Sequence, residues 1–316
     1  MSKPSFFIVG GAGFIGSHFV DRLLADGAEV TIYDNFSSGK ESHYAHHKGN
    51  PALHVIRASI ESSVISLYAM TGHDTVIHLA SNPDIAKAIT DPTIDFYQGT
   101  LLTQKVLEAM RLTGVKKILY ASGSGVYGDC AGRYSVEGDG PSYPMSTYGA
   151  SKLAGEAMIA AYCSMFGMEG LAFRFANVVG PRQTHGVGYD FINRLITNPS
   201  VLHVKGSGFQ SKPYVYVTDV VDAVLCAANN LQKGFDAFNV GTNDSITVRE
   251  IVQLVIDTMG VNPEVVYEDQ DRGWAGDVPV VRMRTFKIRG LGWKPKYKTS
   301  TEAMTYALLS MVKETQ

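Results

Sequence analysis

Apolar residues in the first half of the chain follow two alternating rhythms. Short runs at Phe6–Val9, Glu29–Tyr33, Leu53–Arg57, Thr75–Leu79, Lys117–Ala121 and Leu171–Phe175 have the length and the β-branched or aromatic content of strands. Between most of them the apolar positions recur with helical spacing. Helices are predicted from the glycine-rich turn after Val9 to about Asp26, and over 64–70, 91–113 and 148–166. Strands apolar on both faces, alternating with helices, predict an α/β protein with a doubly wound parallel sheet. Beyond about residue 180, prolines and glycines cut the chain into shorter elements. Helices are expected there over 189–197, 220–229, 248–259 and about 300–312. The pattern divides the chain into a sheet-bearing unit, 1–180, and a smaller C-terminal α/β lobe, 181–316, with some exchange of chain between the two.

Composition removes several classes of function. Hydrophobic residues make up 45% of the 316 positions and charged residues 18%, which is ample for a packed core. With 28 Lys and Arg against 30 Asp and Glu, no basic footprint for nucleic acid exists. No apolar run is long enough to span a membrane. The chain enters its first strand without a basic leader, and Cys130, Cys163 and Cys226 are too few and too scattered for a disulfide framework or a zinc site. A cytoplasmic location is expected.

Gly10, Gly13 and Gly16 follow the first strand directly and open a helix. Glycines in that context allow a tight turn and close backbone approach to a pyrophosphate, which the helix N-terminus also attracts. Asp34 ends the second strand, placed to accept both hydroxyls of an adenosine ribose and to repel a 2′-phosphate. The combination predicts a Rossmann-type unit that takes NAD rather than NADP. Tyr148 and Lys152 stand four apart on one helical face, where the ammonium is expected to lower the phenol pKa and make Tyr148 a usable base.

These features resemble the extended short-chain dehydrogenase/reductase family. Ala121-Ser122-Gly123-Ser124-Gly125-Val126-Tyr127-Gly128, Arg174-Phe175-Ala176-Asn177-Val178-Val179-Gly180-Pro181, Lys212–Val217 and Arg272–Asp277 carry the likeness over nearly the whole chain. Within that family the sequence is most similar to nucleotide-sugar epimerases of the UDP-glucose 4-epimerase type. The resemblance implies a cycle without net redox change: Tyr148 takes the proton of the sugar 4-hydroxyl while C4 is oxidised, and the 4-keto sugar is then reduced on its other face. It extends the cofactor contacts to Phe14, Ile15, Asn35, Ser37, Ser38, Gly39, Ser59, Ile60, Leu79, Ala80, Ser81 and Ala176. Implied substrate contacts are Asn82, Ser124, Asn177, Lys212, Arg272 and Val281, with Lys212 and Arg272 facing the diphosphate. The implied partner is a nucleotide sugar, a UDP-hexose first, and the implied assembly a homodimer; the alternatives are a dehydrogenase or other-carbon epimerase acting on a GDP-, CDP- or dTDP-sugar, and a non-catalytic nucleotide-binding protein. Small residues at Ala154, Ala157, Ala160 and Ala161 are available for helix packing.

Four positions depart from the family pattern. The hydroxyl that relays the proton is replaced by Gly123, leaving Ser122 as first candidate and Ser124 as second. A one-residue displacement on a strand turns the side chain to the other face. Ser59 stands where an aspartate near adenine is usual, and Gly99 where an asparagine is. Dehydrating and decarboxylating relatives resemble one another in having carboxylates where this chain has Ser124 and Gly125, which disfavours both reactions. Val281 stands where a bulky tyrosine excludes N-acetyl sugars, so room for an N-acetylhexosamine is expected. His43, His46 and His47 have metal-compatible spacing but no acidic partner close in sequence, so no metal site is expected.

Overall fold

Strand β1 (Ser5–Val9) pairs with β2 (Glu29–Asp34) on one side and with β4 (Thr75–His78) on the other. Beyond them lie β3 (Leu53–Arg57) on β2 and β5 (Lys117–Gly123) on β4. Strands β6 (Glu169–Phe175) and β7 (Gly234–Val240) follow, giving a seven-stranded parallel sheet ordered β7-β6-β5-β4-β1-β2-β3. A computed structural model describes residues 3–59, 68–140, 142–231, 233–274 and 276–315 of this chain.

Alternation along the strands sorts the core. Ile8, Ile32, Ile77, Leu119, Phe173 and Phe238 face α1 (Phe14–Ala25) and α5 (Val217–Asn229). Phe7, Tyr33, Val76, Ile118, Tyr120 and Ala172 face α2 (Leu102–Thr113) and α3 (Thr147–Phe166). Complete burial of Phe7, Phe19, Ile8 and Ile32 removes their apolar surface from water, at about 25 cal/mol per Å². Strand β7 has no counterpart among the predicted strands, although Phe235, Ala237, Phe238 and Val240 mark it as apolar in retrospect. Residues 217–240 of the second half therefore cover and complete the sheet.

The helix predicted over 91–113 does not run unbroken. A single 3₁₀ turn occupies Ile85–Ile89, and a π-helical stretch, Phe96–Leu101, precedes α2. Packing explains the irregularity: a Cβ on Gly99 would lie 2.5 Å from the Ser151 hydroxyl of α3. The segment widens its turn there to let α3 approach. The predicted helix over 64–70 falls mostly outside the described residues. The remaining helices form with small shifts at their ends, α4 at Val187–Thr197, α6 at Val248–Met259 and α7 at Ser300–Thr315. Helices α4, α6 and α7 share a second core with the short ribbons 177–179/214–216 and 201–204/264–267, through Phe191, Leu195, Tyr216, Ile251, Met304 and Leu308. This core stands over the carboxyl ends of the sheet strands. No helix among the described residues is long and apolar enough to cross a membrane.

Two buried histidines link the fold to pH. His78 donates through Nε2 to the Thr103 hydroxyl, whose own proton goes to the Gly99 carbonyl, and burial pushes its pKa down to about 3. His18 sits between the Pro181 carbonyl and Arg182; burial, then the Arg182 charge, lowers it to about 4. Both are neutral in the folded protein and titrate near 6.5 when unfolded. Their contribution is complete above about pH 6.5 and is lost progressively as pH falls from there to about 4 for His18 and about 3 for His78, on the order of 2 kcal/mol each by pH 5. Urea midpoints should therefore drop steeply from pH 7.5 to pH 5, with a shallower slope in His18→Gln; equal midpoints at the two pH values would refute this.

Candidate active site

The turn after β1 is built from close backbone approaches. A Cβ on Gly16 would lie 2.3 Å from the Gly10 carbonyl, and Gly10 itself has φ +88° with Ala80 N only 2.8 Å from its Cβ position. Only glycine satisfies both constraints. Asp34 is buried at the end of β2, accepting from Ala12 N at 3.0 Å and Phe36 N at 2.8 Å. Burial raises its carboxyl pKa despite those donors. Gly39 passes over it so tightly that a Cβ would meet both carboxylate oxygens at 3.0 Å.

A cavity of about 630 Å³ opens from this turn and runs between the sheet and the second core. Gly10, Gly13, Phe14, Ile15, Gly16, Asp34, Asn35, Ser37, Ser38, Ser59, Leu79, Ala80, Ser81 and Ala176 all line it. Gly39 lies behind Asp34 rather than on the cavity wall, and Ile60 lies outside the described residues. The buried Ser81 hydroxyl has no hydrogen-bond partner among the described residues, although it lines the cavity. An orphaned hydroxyl, a carboxylate at a strand end and a glycine cradle before a helix together fit a dinucleotide.

Helix α3 carries the proposed chemistry. Ser146 caps it by accepting from Gly149 N at 3.1 Å, and Gly167 ends it in the left-handed region at φ +62°. Small residues let it lie close to the sheet: a Cβ on Gly155 would be 2.3 Å from the Tyr120 hydroxyl. Lys152 is buried, donates to the Ala121 carbonyl at 2.8 Å, and holds Nζ 5.4 Å from the Tyr148 ring centroid. The expected lowering of the Tyr148 pKa by Lys152 does not occur among the chain's own residues. Burial, then the Asp95 carboxylate, raises Tyr148 to about 12, while burial lowers Lys152 to about 8. Loss of hydration penalises both charged forms and outweighs their mutual support.

The two candidate relay hydroxyls part company. Ser122 is buried and donates to Glu156 at 2.5 Å. Glu156 in turn accepts three further bonds from Arg174, the shortest 2.7 Å, and Arg174 also donates to the Tyr127 hydroxyl at 2.9 Å. Ser122, the first candidate, also lines the cavity, but its hydroxyl proton is held by Glu156. Ser124, at the start of the 3₁₀ turn Ser124–Tyr127, is half-buried and lines the cavity with Tyr148. Gly123 has an ordinary extended backbone, and the atom nearest its Cβ position is 4.0 Å away.

On the substrate side the expectations are met unevenly. Asn177 and Val281 line the cavity. Asn82 lines it too, but its amide is spent on the Asp84 carbonyl and the Asp95 carboxylate, each at 2.9 Å. Lys212 lines the cavity as the 2.5 Å partner of buried Asp277. Arg272 is not on the cavity wall; it donates to the Asp277 carbonyl and pairs with Asp129 at 3.4 Å. Asp277, which the sequence reading left without a role, organises both cations and accepts from Gly273 N. Asp95 was missed as well: it is buried, joins Asn82 to Thr147, and faces Tyr148.

A family model, NAD dependent epimerase/dehydratase family, matches residues 6–241. The chain belongs to that family. It is 32% identical to UDP-glucose 4-epimerase of Mycolicibacterium smegmatis over 92% of this chain and 93% of that protein. A crystal structure of UDP-galactose 4-epimerase superimposes with TM-score 0.87 and 38% identity, covering 99% of this chain and 100% of that one. UDP-glucose 4-epimerase from Thermus thermophilus, solved in complex with NAD, gives TM-score 0.85 and 30% identity, covering 98% of this chain and 99% of that one. Dependence on NAD agrees with Asp34 and the glycine cradle beneath it.

Because Arg174 and Glu156 are 9% and 4% exposed, removing one charge strands the other. Glu156→Gln should cost about 3 kcal/mol of unfolding free energy in denaturant titrations. A loss below about 1 kcal/mol, the range of an exposed pair, would show that the pair does not anchor α3.

Proposed function

We propose that this chain is an NAD-dependent UDP-sugar 4-epimerase. The observation that carries the reading is one continuous cavity joining the glycine cradle to Tyr148, Ser124 and Lys212. A cofactor on the cradle and a nucleotide sugar along the second core would meet at Tyr148. When bound, NAD supplies a regenerable two-electron oxidant for sugar C4 and, in its oxidised nicotinamide, a positive charge that favours the Tyr148 phenolate.

Tyr148 accepts the 4-hydroxyl proton through Ser124 and returns it to the same oxygen after C4 is reduced from the opposite face. Atoms and electrons balance over the cycle. Lys152, anchored on the Ala121 carbonyl, fixes the distance between its charge and the Tyr148 ring. Asp34 would take the adenosine ribose hydroxyls, and Lys212 with Asn177 the nucleotide diphosphate. Lys212 brings an ammonium already neutralised by Asp277, so binding exchanges one anionic partner for another. Val281 leaves room beside the sugar for an N-acetyl group.

We further propose a homodimer, packed through the outward faces of α2 and α3. Leu112 and Met165 are 51% and 71% exposed there, beside the small exposed side chains of Ala157 and Ala161. A cytoplasmic setting accords with three free cysteines.

Proton NMR of the protein with UDP-glucose, UDP-galactose and their N-acetyl forms should show each pair reaching equilibrium without accumulation of NADH. Accumulating NADH, or no conversion of any of the four, would refute the assignment. Tyr148→Phe should lower kcat by at least about 10³-fold. Ser124→Ala should lower it about 10- to 100-fold, whereas Ser122→Ala should mainly lower stability, by about 1 kcal/mol. The opposite ranking of the two serines would reassign the relay. Gly123→Ser, with space around its Cβ, should fold normally and should rescue Ser124→Ala.

A further inference from the structure

The outer side of the nucleotide-binding half holds a convergent donor set that the epimerase chemistry does not use. Sequence offers His46 and His47 no acidic neighbour, but the fold brings Asp21 of α1, 25 residues before His46, against both. Each imidazole places Nε2 2.8 Å from the same oxygen, Asp21 Oδ1. The rings lie 4.2 Å apart and tilted by 43°, and the ligand atoms of all three residues fall within 4.8 Å of one another.

We propose that His46, His47 and Asp21 bind one divalent cation of the zinc class, with water completing a tetrahedral shell. Two imidazole nitrogens and one carboxylate oxygen suit Zn²⁺ or Co²⁺ and disfavour Mg²⁺ and Ca²⁺, which take oxygen ligands. Metal–ligand distances of about 2.0–2.1 Å put tetrahedral ligand atoms roughly 3.3 Å apart. The imidazoles therefore need to withdraw from Oδ1 by only about half an ångström. His46 is 52% exposed and free to do so.

The other carboxylate oxygen is already held. Arg182 donates to Asp21 Oδ2 at 2.5 Å, to the His43 carbonyl at 2.7 Å, and contacts His18 Nδ1 at 3.0 Å. This leaves Oδ1 turned toward the histidines, the arrangement in which an outer partner orients a metal-binding carboxylate. The geometry also has a consequence for the cleft. Lys40 N and His43 Nδ1 both bond the Ala12 carbonyl, at 3.1 and 2.9 Å, so the segment after Asp34 folds back over the glycine turn. A cation bridging His46 and His47 to α1 would staple that segment in place.

The test uses untagged, chelator-stripped full-length protein titrated with Co²⁺. One equivalent should produce the visible absorption of a tetrahedral cobalt shell, be displaced by one equivalent of Zn²⁺, and resist excess Mg²⁺. Zn²⁺ should raise the thermal midpoint and slow amide exchange over residues 40–48. His46→Gln and His47→Gln should each weaken binding by at least about tenfold. His54→Gln, an exposed histidine on β3, should leave binding unchanged. Absence of a saturable cobalt signal, or binding undiminished in the His46→Gln/His47→Gln double variant, would overturn the proposal and leave adventitious cation binding only.

Discussion

Helix α3 must present Tyr148 and Lys152 at a cavity edge while lying closer to the sheet than ordinary side chains permit. A buried guanidinium–carboxylate pair makes that position unique. Arg174 leaves β6 and meets Glu156, one turn beyond Lys152, and the pair is further bonded by Ser122, by the Glu137 carbonyl and by the Tyr127 hydroxyl, which itself donates to Asn239. Two charges out of water are tolerable only when paired and hydrogen-bonded, so sliding α3 by one residue would leave both unsatisfied. Glycines at 149 and 155, pressed on Gly125 and Tyr120, remove the steric obstacle to this one arrangement.

The same constraint explains the division of labour in the Ser122–Ser124 stretch. Side chains alternate along β5, so Ser122 shares the face of Tyr120 and is drawn into the Arg174–Glu156 network. The 3₁₀ turn that follows breaks the alternation and brings Ser124 to the cavity. The hydroxyls on either side of Gly123 thus have different surroundings, Ser122 bonded to Glu156 and Ser124 on the cavity wall. Asp277 plays a comparable part on the substrate side, where it holds Lys212 on the cavity wall and accepts from Arg272 and Gly273 behind it.

Arg182 ties these regions to the rest of the molecule. Its backbone sits in the left-handed region at φ +66°, its N–H donates to Glu314 of α7, and its guanidinium reaches α1 and the His43 carbonyl. Immediately after it come Gln183 and His185, both on the cavity wall. A single exposed-looking arginine in the sequence therefore couples the cofactor half, the C-terminal helix and the substrate loop.

What the amino-acid sequence determined by itself is local. The glycine turn, Asp34 at a strand end, the Tyr148–Lys152 face and the alternation of strands with helices depend on residues a few positions apart, or on one βαβ unit of fixed geometry. Short-range steric and periodic rules suffice to read them. The tertiary structure decided everything that joins distant segments: strand β7 beside β6, Ser122 with Glu156, Arg272 with Asp129 instead of the cavity, and Asp21 with His46 and His47. Those pairings follow from how layers stack and from one-residue register, and burial set the Tyr148 pKa against the sign that spacing alone suggests. Neighbours in space across more than twenty residues leave no periodic mark in the chain, so only the fold can reveal them.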